Sequence, residues 1–290
     1  SARKVTAVTE PAQTGPSPVV ARRRLAAELR RARAQAGVGL EHAAAALECS
    51  TAKISRIENA MVRVSVQDVR ELAAYYGHGN VDALLDLARA ARGRGWWDRW
   101  ADMLPDLFTT YLGLEDEACD LWTWEPSVLP GLLQTPAYAR AAMEGAGTYE
   151  PDVVERGMEL RAARQRLLGR DEPPAVWAIV DESALRRPLP DRAAWAGQLR
   201  ALLDVMEQVT LQVLPLAAGP SVAWTPKFTV LGFADAPRVA YTEMLHDSHL
   251  VDAPSTVGEY LARFDRLRSL ALDGPGTAAL IGGLLVEAGG

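Results

Sequence analysis

The chain has 290 residues, 49% of them hydrophobic, so it can bury substantial cores and is predicted to form two domains. Its two unpatterned cysteines argue against a disulfide framework, and no apolar run approaches the roughly 18 residues of a membrane span. Residues 1–94 carry 15 Lys or Arg against 9 Asp or Glu, whereas residues 95–290 carry 16 against 28, and a basic first part favours a nucleic-acid partner over chance surface composition.

The first 19 residues contain three prolines and almost no large apolar side chains, which predicts a flexible arm. We expect no signal-peptide core after the N-terminus, and therefore a cytoplasmic protein. Apolar spacing then predicts a basic first helix over residues 20–36, ended by Gly37. A second helix is predicted over Leu40–Leu47, followed by a turn of only Glu48 and Cys49.

The third predicted helix begins at Ser50, whose hydroxyl can cap the first turn, and it reaches Asn59. Ile54 and Ile57 mark its apolar side. The opposite side is narrow and polar, and such a surface fits a DNA major groove. Two short helices around a tight turn indicate a helix-turn-helix, although an ordinary helical hairpin has the same spacing. Residues on or beside the polar side are Ser50, Thr51, Ala52, Lys53, Ser55, Arg56 and Asn59.

Residues 21–77 resemble the five-helix DNA-binding domain of the Xre family. The matching positions are Arg33, Gly37, Ala44 and Leu47, then the run from Ser50 to Asn59. The resemblance implies that Thr51, Ala52, Lys53 and Arg56 face bases, that Arg63 lies near a phosphate, and that Arg33 pairs with Glu58. Three positions depart from the pattern, because Glu48 and Ala60 stand where glycine is common and Gly39 stands where a capping residue is common.

The remaining helices of this part are predicted from a Ser65 cap and over residues 81–92. Composition changes abruptly after residue 94, which predicts a helix-turn-helix domain over residues 20–94 and a second domain over 95–290. In the second domain, helices are predicted near residues 97–118, 136–145, 152–169, 191–207 and 255–272. Strands are predicted at residues 176–180, 210–214, 228–233 and 239–245. The fold class expected is therefore a mainly α five-helix domain followed by an α+β domain with a small sheet, rather than a parallel nucleotide-binding fold.

Residues 96–288 resemble the uncharacterised C-terminal domain that follows Xre heads in antitoxin-like regulators of filamentous bacteria. The motifs that carry the resemblance include WWDRWADMLPDLFTTYLGLEDEA at 96–118, WxWEPxxxPGLLQTxxYAR at 122–140 and ELRxARQ at 159–165. Others are DESALRRP at 181–188, LQVLP at 211–215, FTVLxF at 228–233 and FDRLRxLAL at 264–272. The family has no generally assigned chemistry, so this resemblance implies membership and no mechanism.

All eight tryptophans lie in the second domain. They predict either an aromatic pocket for a small molecule or, as the more ordinary reading, a packed core. The residues that a pocket would use are Trp122, Trp124, Gln134, Trp177, Glu182 and Arg186.

Two further patterns have structural explanations that we favour. Asp181 and Glu182 resemble a catalytic pair, but no nucleophile or cofactor loop accompanies them, and an ion pair with Arg186 or Arg187 is simpler. His246 and His249, with Asp247 and Asp252 nearby, give only a weak metal pattern. We therefore expect no enzyme activity, no cofactor and no metal.

The function predicted is that of a homodimeric regulator that binds double-stranded DNA and reads two half-sites about one helical turn apart. Its second domain would sense a small molecule or a partner protein, without a membrane. The alternative is an antitoxin-like protein that binds a small protein encoded beside it and regulates its own gene. An enzyme tethered to a DNA-binding head is a third and weaker hypothesis.

Overall fold

A computed structural model of the chain describes residues 17–60, 62, 64–147, 149–219, 224–244 and 248–289. The chain divides into two compact units, residues 1–95 and residues 96–290. The weak metal pattern falls partly outside this description, since His246 and Asp247 are not among the described residues.

The described part of unit 1 contains five helices, as predicted. They are α1 (Pro18–Gln35), α2 (Leu40–Ala46), α3 (Thr51–Glu58), α4 (Val66–Tyr75) and α5 (Val81–Ala90). Helix α1 starts two residues before the predicted position, so the predicted arm is wrong for residues 18 and 19. The cause is local: the Ser17 hydroxyl accepts from the Val20 amide at 3.3 Å, and Pro18 occupies the first turn, where its missing N–H costs nothing.

The core of unit 1 follows from helical spacing. Side chains three or four positions apart on each helix share one side, and these sides meet in a single cluster. Helix α3 contributes Ile54 and Ile57, both almost fully buried, as predicted. The cluster includes Leu25, Leu29, Ala44, Ile54, Ile57, Val69, Leu72, Leu84 and Leu85.

One ion pair connects the end of α1 to the end of α3. The Arg33 Nε and Nη2 atoms donate to the two carboxylate oxygens of Glu58 at 2.7 and 2.8 Å, and Nη1 donates to the Val38 carbonyl at 2.9 Å. The Glu58 side chain is only 3% exposed, so its charge depends on this partner. The hydrogen bond to Glu58 in turn raises the pKa of Arg33. The pairing that the Xre resemblance implied is confirmed.

The two turns around α3 adopt a conformation that normally selects glycine. Glu48 has φ of +47° and Ala60 has φ of +57°. At Glu48 the turn is closed by a bond from the Cys49 amide to the Ala44 carbonyl at 2.9 Å. Glu48 and Ala60, which stand where glycine is common in the family, therefore adopt the backbone conformation that glycine favours. An L-residue in this region costs roughly 1–2 kcal/mol, which the surrounding helices must offset.

The described part of unit 2 combines helices with one sheet. A 3-10 turn at Trp96–Trp100 precedes α6 (Asp106–Glu117), and two helices, α7 (Pro136–Gly145) and α8 (Pro151–Gln165), lie between the first two strands. The strands are β1 (Asp120–Glu125), β2 (Ala175–Asp181), β3 (Thr210–Leu214), β4 (Phe228–Gly232), β5 (Val239–Glu243) and β6 (Ser248–Val251). The short α9 (Glu182–Leu185) and α10 (Arg192–Val205) follow β2, and α11 (Pro254–Leu270) and α12 (Gly274–Glu287) end the chain.

The sheet has the order β3-β2-β1-β4-β5-β6. Strand β1 pairs in parallel with β2, which pairs in parallel with β3, whereas β4, β5 and β6 run antiparallel to their neighbours. The predicted α+β class is confirmed, with a six-stranded mixed sheet in place of a small one. The helical crossovers through α7, α8 and α10 explain the parallel half, because parallel neighbours cannot be joined by a tight hairpin.

Four labelled elements of the described part of unit 2 were not predicted: β1, β6, the four-residue α9 and α12. Strand β1 is central but has only six residues, and β6 has only four. Helix α12 contains four glycines, which weaken the helical signal in its sequence, yet it packs on α10 and β3.

Among the described residues no single helix is long and apolar enough to span a membrane. The pair α11 and α12, bent by 68° at the break between them, passes the same test by length and composition only.

We predict that relieving the left-handed backbone at Glu48 stabilises the α2–α3 segment. Glu48→Gly removes the conformational cost but adds unfolded-state entropy, for a net gain of about 0.5 kcal/mol. The reverse change, Gly37→Ala, is expected to cost about 1 kcal/mol, because Gly37 has φ of +67° and nothing lies within 4 Å of an added methyl group. Hydrogen exchange of amides 40–58 and 33–38 measures both effects. Faster exchange in Glu48→Gly than in the parent would contradict the assignment of strain.

Candidate functional sites

The exposed side of α3 carries the residues predicted to contact DNA. Thr51, Ala52 and Arg56 are exposed, and Asn59 extends the same side. Ser50 acts as the cap, accepting from the Lys53 amide at 3.2 Å, so its hydroxyl is engaged in starting the helix. The Arg56 Nε atom donates to the Ala52 carbonyl at 3.3 Å, which leaves its terminal nitrogens facing outward. Arg63 lies outside the described residues.

Lys53 differs from its neighbours because it is half-buried and paired. Its Nζ atom lies 3.1 Å from Oδ2 of Asp68 in the first turn of α4. A part-exposed pair of this kind contributes little to stability, but it occupies the cation that would otherwise face DNA. Contact between Lys53 and DNA would require this pair to open or to be shared.

The side-chain alternation of β1 separates two different environments in unit 2. Trp122 and Trp124 point to the face covered by α11, and Thr123 and Glu125 point to the opposite face. On the α11 face the Trp122 and Trp177 rings lie 5.3 and 6.0 Å from the Phe264 ring. These tryptophans are packed as a core.

The six residues predicted to line a pocket therefore do not come together. Glu182 forms an ion pair with Arg186 at 2.6 Å and accepts from the Leu216 amide at 2.8 Å, which confirms the structural ion pair for that carboxylate. Of the six, Gln134 lines the cavity described next, which lies on the Glu125 face of the sheet. A role in ligand binding stays a prediction for all six.

The cavity has a volume of about 170 Å³. Its walls come from α6, α8, the segment after β1, and strands β1, β4 and β5. One wall is aromatic, with the Tyr111 and Tyr241 rings stacked 4.4 Å apart, and the Thr123 and Thr229 hydroxyls lie 3.1 Å apart on the sheet. The charged residues that line it are Glu115, Glu125, Arg161, Arg164, Lys227 and Glu243.

Arg164 and Glu115 form a closed buried pair at one side of this cavity. The Arg164 Nε and Nη2 atoms each donate to Glu115 at 2.8 Å, and the Tyr111 hydroxyl adds a bond of 2.7 Å to the same carboxylate. Burial would lower the pKa of Arg164, but the Glu115 charge offsets it and raises that pKa above its usual value. Burial also raises the pKa of Tyr111, which keeps the phenol protonated as a donor. All three groups are satisfied within the protein.

Arg161 lies one helical turn before Arg164 and has a different environment. Its Nη1 atom donates to the Gln134 side-chain oxygen, and no carboxylate of the described residues lies within ion-pair distance of it. Burial, reinforced by the neighbouring Arg164 charge, lowers the pKa of Arg161 to about 10. The guanidinium still carries its charge at neutral pH, but the fold disfavours that charge.

Glu125 is the complementary group on the sheet. Its Oε1 atom lies 3.2 Å from Lys227 Nζ, whereas its Oε2 atom is buried without a hydrogen-bond partner among the described residues. Burial raises the pKa of Glu125, and Lys227 partly opposes this effect. The cavity thus contains one cation without a counterion and one carboxylate oxygen without a donor.

Each of the two units contains a segment that matches a known protein family. Residues 108–283, more than half of the chain, match the family described as Domain of unknown function (DUF5753). The chain belongs to the DUF5753 family. Residues 24–91 match a family described as Helix-turn-helix domain. No curated protein and no solved structure matches the chain.

The DUF5753 match extends from α6 to α12 and includes every charged residue of the cavity. The helix-turn-helix match indicates a DNA-binding protein that regulates transcription. Within the described ranges, no group of three or more His, Cys, Asp or Glu side chains is placed to hold a metal ion.

One motif in the sequence points to this cavity. Arg161 and Arg164 are the two arginines of the ELRxARQ motif, and three-residue spacing puts them on the same side of α8. Their distinction could not be predicted, because it depends on Glu115 and Gln134, which are distant in sequence.

Replacing the two arginines separately is expected to change stability in opposite directions. Arg164→Met leaves the buried Glu115 charge without a cation and should cost about 3–5 kcal/mol. Arg161→Met removes a cation whose pKa is lowered, so a cost present in full below about pH 10 disappears. We expect Arg161→Met to stabilise by about 1 kcal/mol. Urea unfolding followed by tryptophan fluorescence measures the free energy of unfolding of both variants, and this signal reports only on unit 2. Equal destabilisation by both changes would contradict this account.

Freeing Lys53 is expected to strengthen DNA binding at low salt. Asp68→Asn removes its ion-pair partner at 3.1 Å, and one additional phosphate contact steepens the salt dependence by about 0.9 in the log–log slope. Asp86→Asn is the matched control, because Asp86 is exposed on α5 and pairs with Arg89 there. Fluorescence anisotropy with a labelled duplex measures both variants. The same gain in the control would show a general charge effect and not a release of Lys53.

Proposed function

We propose that this chain is a dimeric, sequence-specific transcription regulator of the cytoplasm, with Xre-type heads that insert α3 into the major groove. The observation that supports this most strongly is the exposed side of α3, formed by Thr51, Ala52 and Arg56 within the matched helix-turn-helix domain. Small side chains admit close approach, and arginine donates two bonds to guanine. A phosphate contact by Arg63 belongs to the same proposal.

The DUF5753 domain is proposed to sense a small molecule or a partner protein. The charged cavity supports the first of these, because burial lowers the pKa of Arg161 and no carboxylate of the described residues lies within ion-pair distance of it. Unfavourable charges of this kind cluster at binding sites. A ligand regulates DNA binding only if its affinity differs between the DNA-competent and the incompetent state. In a dimer that difference would change the spacing or the mobility of the two heads relative to half-sites about one turn apart.

A partner protein is the second candidate, in the antitoxin-like role implied by the sequence resemblance. Trp224 favours it, because this side chain is 90% exposed and tryptophan is enriched in protein interfaces. We predict that a small protein encoded by a neighbouring gene copurifies with the chain, and that Trp224→Ala weakens the complex at least tenfold. Trp195→Phe, a change inside the core, serves as the control. Undiminished copurification of the Trp224→Ala variant would remove this surface from the proposal.

The DNA-binding role is tested by separating base contacts from charge. Genome-wide mapping of bound DNA first supplies an operator. Arg56→Ala should then cost about 1–3 kcal/mol on that operator and much less on a random duplex. Arg89→Ala removes the same charge from α5, where Arg89 pairs with exposed Asp86, and should affect both duplexes slightly and equally. Equal losses on operator and random DNA for Arg56→Ala would refute base reading by this residue.

A further inference from the structure

We propose that the cavity of the DUF5753 domain binds a free α-amino acid, with its carboxylate on Arg161 and its ammonium group on Glu125. This inference rests on the proposed sensing function and specifies the chemical class of the ligand. It depends on three features of the cavity: an Arg161 cation without a paired carboxylate beside a Glu125 oxygen without a donor, the volume, and the nature of the walls.

The carboxylate position is assigned by Arg161. A guanidinium presents five donors in a planar fork, and Gln134 accepts only one of the bonds that this fork can make. Arg164 is not available in the same way, since its Nε–Nη2 edge is directed at Glu115 and its charge is paired there. The remaining donors of Arg161 match the two oxygens of a carboxylate.

The ammonium position is assigned by Glu125. Its side chain is 4% exposed, and Oε2 is buried without a hydrogen bond among the described residues. Lys227, 3.2 Å from Oε1, favours the ionised form, which can only accept. Lys227 already pairs with Oε1, so the group that fits beside Oε2 is a hydrogen-bond donor, and an ammonium group supplies one. A carboxylate oxygen and a guanidinium in one cavity therefore select a ligand that carries both charges.

The volume limits the size of that ligand. A dry cavity of about 150 Å³ holds benzene, so about 170 Å³ admits a molecule of roughly six to ten non-hydrogen atoms. This range covers the small and medium α-amino acids and excludes nucleotides. The stacked Tyr111 and Tyr241 rings offer an apolar wall for a side chain, and burial raises the pKa of Tyr241 to about 12, which keeps it uncharged.

The test uses the full chain and the twenty L-amino acids as individual probes at millimolar concentration. We expect one or a few to raise Tm by about 5 °C or more at 100 times their dissociation constant. The N-acetyl and carboxamide derivatives of each active amino acid lack one charge each, and they should bind at least tenfold more weakly in calorimetric titrations. The inference is overturned if no amino acid binds, or if both derivatives bind as tightly as the parent.

Variants then locate the site. Arg161→Met should weaken binding of the free amino acid at least tenfold, and Glu125→Gln should do so without weakening the N-acetyl derivative further. Arg156→Met is the control on the same helix, because Arg156 pairs with Asp102 and does not line the cavity. Full affinity in Arg161→Met would overturn the assignment, and loss in Arg156→Met alone would place the site elsewhere.

Operator binding measured on the same samples distinguishes a failure of the amino-acid proposal from a failure of the proposed regulatory function. If no amino acid binds but the operator is retained, the ligand class is wrong and the regulator proposal stands. If an amino acid binds and operator affinity is unchanged, the cavity assignment stands and the sensing role is wrong. If the operator itself is not retained, the DNA-binding proposal fails, whatever the cavity holds.

Discussion

The strict alternation of side chains along β1 is the constraint on which the second unit depends. This strand lies in the middle of the sheet, with a parallel neighbour on one side and an antiparallel neighbour on the other. Its tryptophans must therefore face one side, and Thr123 and Glu125 must face the other. Because the aromatic face packs against α11, the polar face is left for α6 and α8 to cover. A shift of one residue in register would exchange the core and the cavity.

The buried charged residues fall into two groups, those that pair fully with an opposite charge inside the protein and those that do not. In unit 1 the Arg33–Glu58 pair is closed, and in unit 2 the Arg164–Glu115 pair is closed and supplemented by Tyr111. Such pairs hold elements together because removing one partner leaves a buried charge. Arg161 and Glu125 lack that closure, because no carboxylate of the described residues pairs with Arg161 and Lys227 pairs with only one oxygen of Glu125. Arg161 lies beside the fully paired Arg164, and Glu125 lines the same cavity as the fully paired Glu115. Incompletely paired groups kept next to paired groups of the same type give a physical reason to look for a ligand that pairs with them.

The sequence predicted the helices of unit 1 well, because caps such as Ser50 and Ser65 and the three-residue spacing of Ile54 and Ile57 act locally. It also predicted the α+β class. It did not predict β1, since six residues give a weak period. The tryptophans were compatible with a pocket or a core, and for Trp122, Trp124 and Trp177 the favoured reading, a core, is what the sheet has. The cavity could not be found from sequence alone, because whether Arg161 or Arg164 has a counterion depends on residues far away in the chain. For the same reason, the pairing of Lys53 with Asp68 was not apparent.

The distribution of tryptophan has a practical consequence for watching this molecule in solution. Every indole belongs to unit 2, and two of them differ strongly in environment, since Trp124 is fully enclosed and Trp224 is open to water. Emission from the first is shielded from dissolved quenchers, whereas emission from the second is accessible to them. Intrinsic tryptophan fluorescence therefore reports on unit 2 only, and quenching distinguishes its buried indole from its exposed one. DNA added to the other unit would be invisible to both unless its arrival were transmitted along the chain.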